Sequence, residues 1–201
     1  MKKKSIQRTN YLNYQQMKDV IEIIKNQNNE SIISLLKRST LKEFINKVLV
    51  SNNYDFFILE NKKINGYIIL KKPTIDSTNG VYKISYIVDL IVSLNFKVYL
   101  NLIIKYFGLD KILFNSFQKK IYYNSINISY LGINKKLQSK GYGKKLLKFA
   151  IKKTKFKSKY ITVETINSKA SKFYLEKCKF RLLSKKFQLF NLVNVFFAKK
   201  N

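Results

Sequence analysis

The spacing of apolar residues divides the chain into short strands and amphipathic helices. Residues 14–25 carry Met17, Val20, Ile21 and Ile24 at helical spacing, and residues 31–37 and 41–50 repeat this pattern with a break expected near Thr40. Residues 5–8 predict a short first strand. Two β-rich runs, 54–59 and 64–70, are joined by four polar residues and predict an antiparallel hairpin.

The second half of the chain returns to short alternating elements. We predict a strand over 122–133, a helix from 141 to about 154, a strand over 160–163 and a helix over 169–177 capped by Asn167 or Ser168. Two β-rich runs, 180–183 and 187–198, end the chain. This order predicts one mixed α/β domain over residues 1–201, without internal repeats or a low-complexity linker.

Residues 86–118 form an insertion before the predicted fourth strand. Most polar residues between 87 and 107 recur at every fourth position, so a helix here would carry one narrow polar stripe on an apolar cylinder. Two interpretations stay open: a helix buried against the domain, or an interfacial helix that contacts a membrane surface or a second copy of the chain in a homodimer. The charges inside the run argue against a membrane span.

The composition of the chain restricts the classes of function that the protein can have. Lys and Arg number 40 against 11 Asp and Glu, which gives a formal net charge of +29 and favours polyanionic partners over polycationic substrates such as aminoglycosides. The chain has no histidine, so Ser-His and Cys-His catalysis are excluded, and its scarce carboxylates make a zinc site improbable, so we expect no metal. One cysteine, Cys178, and a start without an apolar run predict a cytoplasmic protein without a signal peptide, peripheral to the membrane if 86–118 contacts it.

A glycine turn, Gly141-Tyr142-Gly143, lies between the predicted fourth strand and the following helix. Backbone N–H groups at such a turn, together with the positive end of the helix dipole, form a receptor for phosphate or pyrophosphate. The turn lacks the glycine spacing and the Ser/Thr of a Walker site, and it lacks the third glycine of a Rossmann site. A non-enzymatic, basic nucleic-acid-binding protein remains an alternative, given the charge and the 14 tyrosines.

Two motifs carry a resemblance to a known family. Residues 138–143, Gln-Ser-Lys-Gly-Tyr-Gly, and residues 167–180, which contain Asn167, Ala170, Phe173-Tyr174 and Phe180, resemble the signatures of the GNAT superfamily of acyl-coenzyme A-dependent N-acetyltransferases. The family implies a mixed, mostly antiparallel, twisted sheet of about seven strands flanked by helices. The chain departs from the family by one extra residue between Tyr174 and Phe180, by Lys179 where glycine is common and by Ser139 where glycine is frequent.

The resemblance implies roles for individual residues. Acetyl-coenzyme A is the implied acyl donor, with Tyr174 as the general acid that protonates the leaving thiolate, and direct attack by an amine needs no covalent intermediate. Glu164 is the nearest acidic candidate for a base, and its alternative role is a structural partner for a lysine. Tyr130 either lines the acceptor site or packs. The residues implied to bind the cofactor are Leu131, Gly132, Ile133, Gln138, Ser139, Lys140, Gly141, Tyr142, Gly143, Lys144, Asn167 and Tyr174.

The class of acceptor is inferred from the charge of the chain and from the insertion before the fourth strand. The positive charge and the lysine-flanked insertion suggest an anionic amine, namely an amino sugar carried on a nucleotide or a lipid diphosphate in surface-glycan synthesis. A protein or peptide N-terminus, including that of a ribosomal protein, is the alternative acceptor.

Overall fold

The computed structural model describes residues 5–27, 32–73, 114–188 and 191–200. Its seven strands form one sheet in the order β1-β2-β3-β4-β5-β7-β6. The pairs β1–β2, β2–β3, β5–β7 and β6–β7 are antiparallel. The strands are β1 Ser5–Thr9, β2 Tyr54–Asn61, β3 Lys63–Lys71, β4 Ser125–Ile133, β5 Tyr160–Thr165, β6 Arg181–Gln188 and β7 Asn191–Lys199.

Six α-helices connect these strands in the described part of the chain. A 3₁₀ turn, Lys135–Leu137, lies between β4 and the fifth helix, and a π-helical turn, Phe173–Lys177, continues the sixth. The helices are α1 Tyr14–Lys25, α2 Ile32–Leu35, α3 Arg38–Val50, α4 Ser116–Tyr123, α5 Tyr142–Lys153 and α6 Ser168–Lys172. The seven-stranded, mostly antiparallel sheet with flanking helices confirms the predicted fold class.

The chain divides into two compact units. The first contains residues 1–72 and 128–157, and the second contains residues 73–127 and 158–201. The predicted insertion, 86–118, belongs to the second unit, and its residues up to 113 lie outside the described residues, so both interpretations of it remain predictions. Among the helices of the described residues, none combines the length and the hydropathy of a membrane-spanning segment.

In the first unit, helices cover both faces of the hairpin β2–β3, because consecutive residues of both strands are buried. Ile23 of α1 lies near the Tyr67 ring on one face, and Phe149 of α5 packs edge-to-face against Phe57, whose side chain points to the other face. Buried Asp55, at the start of β2, accepts from Thr154 Oγ1 at 2.5 Å and from the Lys155 amide at 2.9 Å. The end of α5 is thereby fixed to the sheet.

In the second unit, α4 packs on the sheet. Phe114 and Ile121 are buried together with Leu183 of β6 and Val195 of β7. The helix begins with a capping box, in which Asn115 Oδ1 accepts from the Gln118 amide at 2.8 Å and Gln118 Oε1 accepts from the Asn115 amide at 3.0 Å. The segment that links the insertion to β4 is therefore anchored on the sheet.

Four predicted boundaries were wrong. Residues 122–124 were predicted as strand, but the helix that Asn115 caps continues through Tyr123. The break between α2 and α3 falls at Leu36 and Lys37 instead of Thr40, whose side chain is buried within α3.

The hairpin β2–β3 turns at Lys62, because pairing extends to Asn61 and Lys63, beyond the strand ends that the sequence predicts. The polar residues 184–186, predicted as a connection, continue β6.

Candidate active site

Gly132, near the end of β4, lies where no side chain fits. A Cβ atom there would lie 2.3 Å from Cε1 of Tyr67, 2.7 Å from Nε2 of Gln27 and 2.9 Å from Cγ2 of Ile23. The backbone of β4 approaches β3 and α1 this closely only because residue 132 has no Cβ.

Two glutamine side chains hold the carbonyl groups on either side of Gly132. Gln27 Nε2 donates to the Leu131 carbonyl at 3.2 Å, and Gln138 Nε2 donates to the Ile133 carbonyl at 3.0 Å. These bonds fix the peptide planes of the strand end that the family resemblance assigns to the pantetheine arm. Gln138 thus acts through its side chain, a contact that the sequence did not predict.

The glycine turn has the backbone geometry that the anion hypothesis requires. Ser139 has φ 61° and Gly141 has φ 81°, so the chain makes two left-handed steps before α5 begins at Tyr142. Gly141 is the N-cap of α5, and no side chain caps the helix there. A Cβ at Gly141 would meet nothing within 4 Å among the described residues, so the backbone here borders open space. A helix N-terminus with this open approach fits a pyrophosphate group.

Lysines surround this turn, and the first turn of α5 contains no acidic residue. Lys140, Lys144 and Lys145 are exposed there, following Lys135 and Lys136 in the preceding 3₁₀ turn. Their charges add to the positive end of the helix dipole and raise the local affinity for phosphates.

Asn167 performs a capping role in the second unit. Its Oδ1 accepts from the Ala170 amide at 2.9 Å at the start of α6, and its own amide donates to Thr165 Oγ1 at 3.1 Å. Asn167, rather than Ser168, is therefore the cap. The contact with acetyl-coenzyme A that the resemblance implies for Asn167 stays a prediction.

The extra residue before Phe180 is accommodated by a π-helical turn. The Cys178 amide donates to the Phe173 carbonyl at 3.1 Å, five residues back, and the Phe180 amide donates to the Tyr174 carbonyl at 2.9 Å. A π-turn holds one residue more than an α-turn, and such turns are frequent at functional sites. Lys179 follows with φ 62°, the left-handed conformation expected where the family commonly has glycine.

Tyr174 lies inside this π-turn and is only 4% exposed. Its ring contacts the rings of Phe173 and Phe180 at centroid distances of 5.1 and 5.4 Å. Burial raises the pKa of Tyr174 above its ordinary value, and nearby Cys178 adds to the rise. The phenol is therefore neutral and protonated at physiological pH, as a proton donor must be.

Glu164 takes part in a buried ion pair. Its carboxylate pairs with Lys186 of β6, whose side chain is only 4% exposed, and also accepts from the Tyr122 hydroxyl of α4. Lys186 Nζ lies 5.8 Å from the centre of the Tyr122 ring. This arrangement supports the structural role of Glu164, and its role as a base stays a prediction.

We expect Glu164→Gln to lower the free energy of unfolding by about 2 kcal/mol, because Lys186 would keep its charge in a buried position without a charged partner. The figure is below the usual cost for a fully buried pair, since 21% of the Glu164 side chain is exposed. Urea unfolding followed by circular dichroism measures this change.

The double variant Glu164→Leu with Lys186→Met should recover most of the loss, because it removes both charges together. The exposed pair Lys47–Glu43 of α3 provides the control, where Glu43→Gln should cost under about 0.5 kcal/mol. If Glu43→Gln and Glu164→Gln lowered the free energy of unfolding equally, burial of the Glu164–Lys186 pair would not explain the loss at Glu164.

Tyr130 lies on β4 next to the implied pantetheine segment. Its half-buried ring meets Phe44 of α3 edge-to-face at a centroid distance of 5.8 Å. The contact shows that the ring packs, and a contact with the acceptor stays a prediction. Within the described residues, no group of three or more His, Cys, Asp or Glu side chains could hold a metal ion.

The sequence-predicted site residues fall into two sets. Residues 131–133 and 138–144 lie in the first unit, where the structure brings the strand end and the glycine turn together. Glu164, Asn167 and Tyr174 lie in the second unit, along β5, the α6 cap and the π-turn.

Comparison with known proteins defines the class. Residues 111–180 match the model of the acetyltransferase (GNAT) family. The match covers β4, the glycine turn, α5, β5, α6 and the π-turn, and thus both motifs. No curated protein matches the sequence.

Solved acetyltransferases share the fold over nearly the whole chain. An acetyltransferase from Thermus thermophilus has a TM-score of 0.59 at 10% identity and covers 97% of each chain. The ribosomal-protein-S18-alanine N-acetyltransferase from Escherichia coli has a TM-score of 0.55 at 10% identity, over 99% of this chain and 95% of the other. A spermidine N-acetyltransferase variant from Vibrio cholerae has a TM-score of 0.56 at 13% identity, over 98% and 94%.

The fold and the family match together indicate an acetyltransferase. More narrowly, residues 111–180 match the acetyltransferase (GNAT) family, and this match agrees with the resemblance that the two motifs predict. GNAT acetyltransferases use acetyl-coenzyme A as the acyl donor.

Proposed function

We propose that the protein transfers an acetyl group from acetyl-coenzyme A to a primary amine on an anionic acceptor, namely an amino sugar linked to a nucleotide or a lipid diphosphate. The proposal of acetyl-coenzyme A as the donor rests on the glycine turn. There Gly141 has φ 81°, and its Cα faces open space among the described residues at the start of α5. The pyrophosphate of the cofactor would bind the turn amides, and its pantetheine arm would follow Leu131 to Ile133.

The reaction needs few groups from the chain. A neutral amine attacks the thioester carbonyl directly, and backbone N–H groups stabilise the oxyanion. The Tyr174 hydroxyl then gives its proton to the departing thiolate, and the proton that the amine nitrogen loses passes through solvent to restore the Tyr174 hydroxyl. The absence of histidine from the whole sequence agrees with a route that has no histidine-activated nucleophile.

The acceptor is inferred from charge. The structural neighbours from V. cholerae and E. coli are named for spermidine and for a ribosomal protein, so the fold serves chemically different amines. A chain with a net charge of +29 repels polycations such as spermidine and attracts phosphorylated acceptors. We therefore propose an anionic amino sugar as the acceptor. Because nucleotide-linked sugars are made in the cytoplasm, we also propose a cytoplasmic location for the protein.

Thiol release from acetyl-coenzyme A, measured across a panel of amines, tests this proposal. We expect a nucleotide-linked amino sugar with a free amine to give a kcat/KM at least tenfold above those of spermidine, an aminoglycoside and an N-terminal alanine peptide. A preference for spermidine or the aminoglycoside would overturn the acceptor assignment, and a preference for the peptide would support the alternative acceptor class.

A separate measurement tests the donor. Acetyl-coenzyme A at a hundred times its Kd should add about 2.7 kcal/mol to stability and raise the thermal midpoint. If a single-stranded oligonucleotide raised the midpoint and acetyl-coenzyme A did not, the nucleic-acid-binding alternative would replace the enzyme assignment.

A further inference from the structure

A groove lies between α1 and α3 in the first unit, with a volume of about 510 Å³. Each wall is one face of a helix, because the residues that line it recur at three- or four-residue spacing. On α1 the lining residues are Tyr14, Met17, Lys18 and Ile21, and on α3 they are Arg38, Ser39, Lys42 and Asn46. We call this feature the α1–α3 groove.

The α1–α3 groove has an apolar floor and a basic, aromatic rim. Leu12, Met17 and Ile21 form the floor and are 5–6% exposed. The rim carries the exposed cations Lys18, Arg38 and Lys42, together with Tyr11 and Tyr14, which are 71% and 81% exposed. None of the described residues that line the groove is Asp or Glu.

The residues that line the α1–α3 groove are different from those implied to bind acetyl-coenzyme A or to take part in acetyl transfer. Gln27, just beyond the C-terminus of α1, donates to the Leu131 carbonyl, whereas Tyr14 begins the helix. Thirteen residues at a rise of 1.5 Å place these two positions about 20 Å apart. Ile21, the lining residue of α1 nearest to Gln27, lies about 9 Å from it along the helix, so the groove runs along α1 away from the implied pantetheine segment.

We propose that the α1–α3 groove binds an acidic amphipathic peptide segment of a partner protein. An apolar floor between two helices accepts the aliphatic side chains of such a segment, as in other helix-in-groove complexes. Exposed tyrosines and arginine are the side chains most enriched at binding hot spots. The three cations complement glutamate or aspartate on the peptide, since the described residues that line the groove include no carboxylate.

Two other anionic occupants fit the groove less well. A single-stranded nucleic acid would pair its phosphates with the cations, but it would leave the aliphatic floor of Leu12, Met17 and Ile21 against polar sugar and phosphate. An anionic bilayer would attract the lysines, yet its surface cannot enter a concave groove. Both are included as competitors in the test.

A labelled 14-residue peptide serves as the probe, with leucines at helical i, i+3, i+4 and i+7 positions and glutamates elsewhere. Fluorescence anisotropy with the full chain in 0.15 M salt should give a Kd of tens of micromolar. The same peptide with lysine in place of every glutamate should not bind. Absence of binding by the glutamate peptide would overturn the proposal.

Charge-matched variants separate the groove from general attraction to a basic protein. Lys18→Glu with Lys42→Glu should weaken peptide binding at least tenfold. Lys152→Glu with Lys153→Glu, at exposed positions on α5, makes the same change in net charge and should weaken it less than threefold. Tyr14→Ala, which keeps the charge, should weaken it about fivefold. Equal losses in both charge variants would overturn the proposal.

Competition and activity complete the test. A dT12 oligonucleotide or anionic phospholipid vesicles that bound more tightly than the peptide, and lost binding only in the groove variant, would assign the groove to that ligand and overturn the peptide proposal. The groove variants should retain the acetyl-transfer rate and the thermal midpoint of the parent chain. A parallel loss of acetyl transfer would place the groove in the active site and also overturn the proposal.

Discussion

Replacement of Tyr174 by phenylalanine should lower kcat about a hundredfold and leave the Kd for acetyl-coenzyme A within a factor of two. The substitution removes one oxygen from a side chain that is 4% exposed, so the packing of its ring against Phe173 and Phe180 remains. A positioned general acid contributes about 10²- to 10⁴-fold to a rate, and the thiolate would then take its proton from water. Steady-state kinetics with saturating acceptor, together with calorimetric titration of the cofactor, measures both quantities.

The raised pKa of Tyr174 gives this prediction a pH signature. Because burial raises the pKa of the phenol, Tyr174 stays protonated at every pH up to about 10, where exposed tyrosines begin to ionise. We therefore expect that kcat does not fall below this pH through loss of the Tyr174 proton. Tyr160→Phe, at a half-buried tyrosine at the start of β5, is the control and should leave kcat unchanged. An unchanged kcat in Tyr174→Phe would remove Tyr174 from the acid role.

The elements were predictable where local signals and tertiary packing agree. The helix Tyr14–Lys25 was predicted at its observed ends from its apolar stripe, and the capping box that Asn13 forms agrees with that start. The prediction for residues 122–124 was wrong because their β-prone tyrosines were assigned to β4, whereas the helix that the Asn115 capping box starts continues through Tyr123. The prediction that residues 184–186 connect two strands was wrong because Lys186 is charged. Its burial in β6 depends on a tertiary ion pair with Glu164.

The residues of the candidate site also divide into those that local sequence signals predict and those that depend on tertiary contacts. The left-handed turn at Gly141 and the left-handed Lys179 follow from glycine chemistry and motif spacing, both of which are local. The contact between Gln27 and the Leu131 carbonyl joins residues 104 positions apart, and no periodicity in the sequence marks Gln27 for it. Lys186 likewise cannot be distinguished by sequence from the other cations among the 40 Lys and Arg. The π-turn was visible as one extra residue, but its form depends on the packing of Tyr174 against Phe180.

Replacement of Gly141 by valine should weaken acetyl-coenzyme A binding about a hundredfold, equivalent to about 2.7 kcal/mol. Two effects act together at this position. At φ 81° a β-branched residue is strained, so the turn would shift its amides away from their present direction. A valine side chain would also occupy the space next to the turn, where a Cβ meets no other described residue within 4 Å, and would block the approach of the pyrophosphate.

Ser139→Gly separates strain from obstruction. Ser139 has φ 61°, so glycine should relax the same turn and leave cofactor affinity within a factor of two. Gly141→Ala provides the intermediate case, with the strain of a Cβ but little bulk, and should weaken binding about tenfold. Calorimetric titration of each folded variant with acetyl-coenzyme A gives the series. Gly141→Val binding as tightly as the parent chain would show that the pyrophosphate does not lie against this turn, because a group bound to the turn amides could not share its space with the valine side chain.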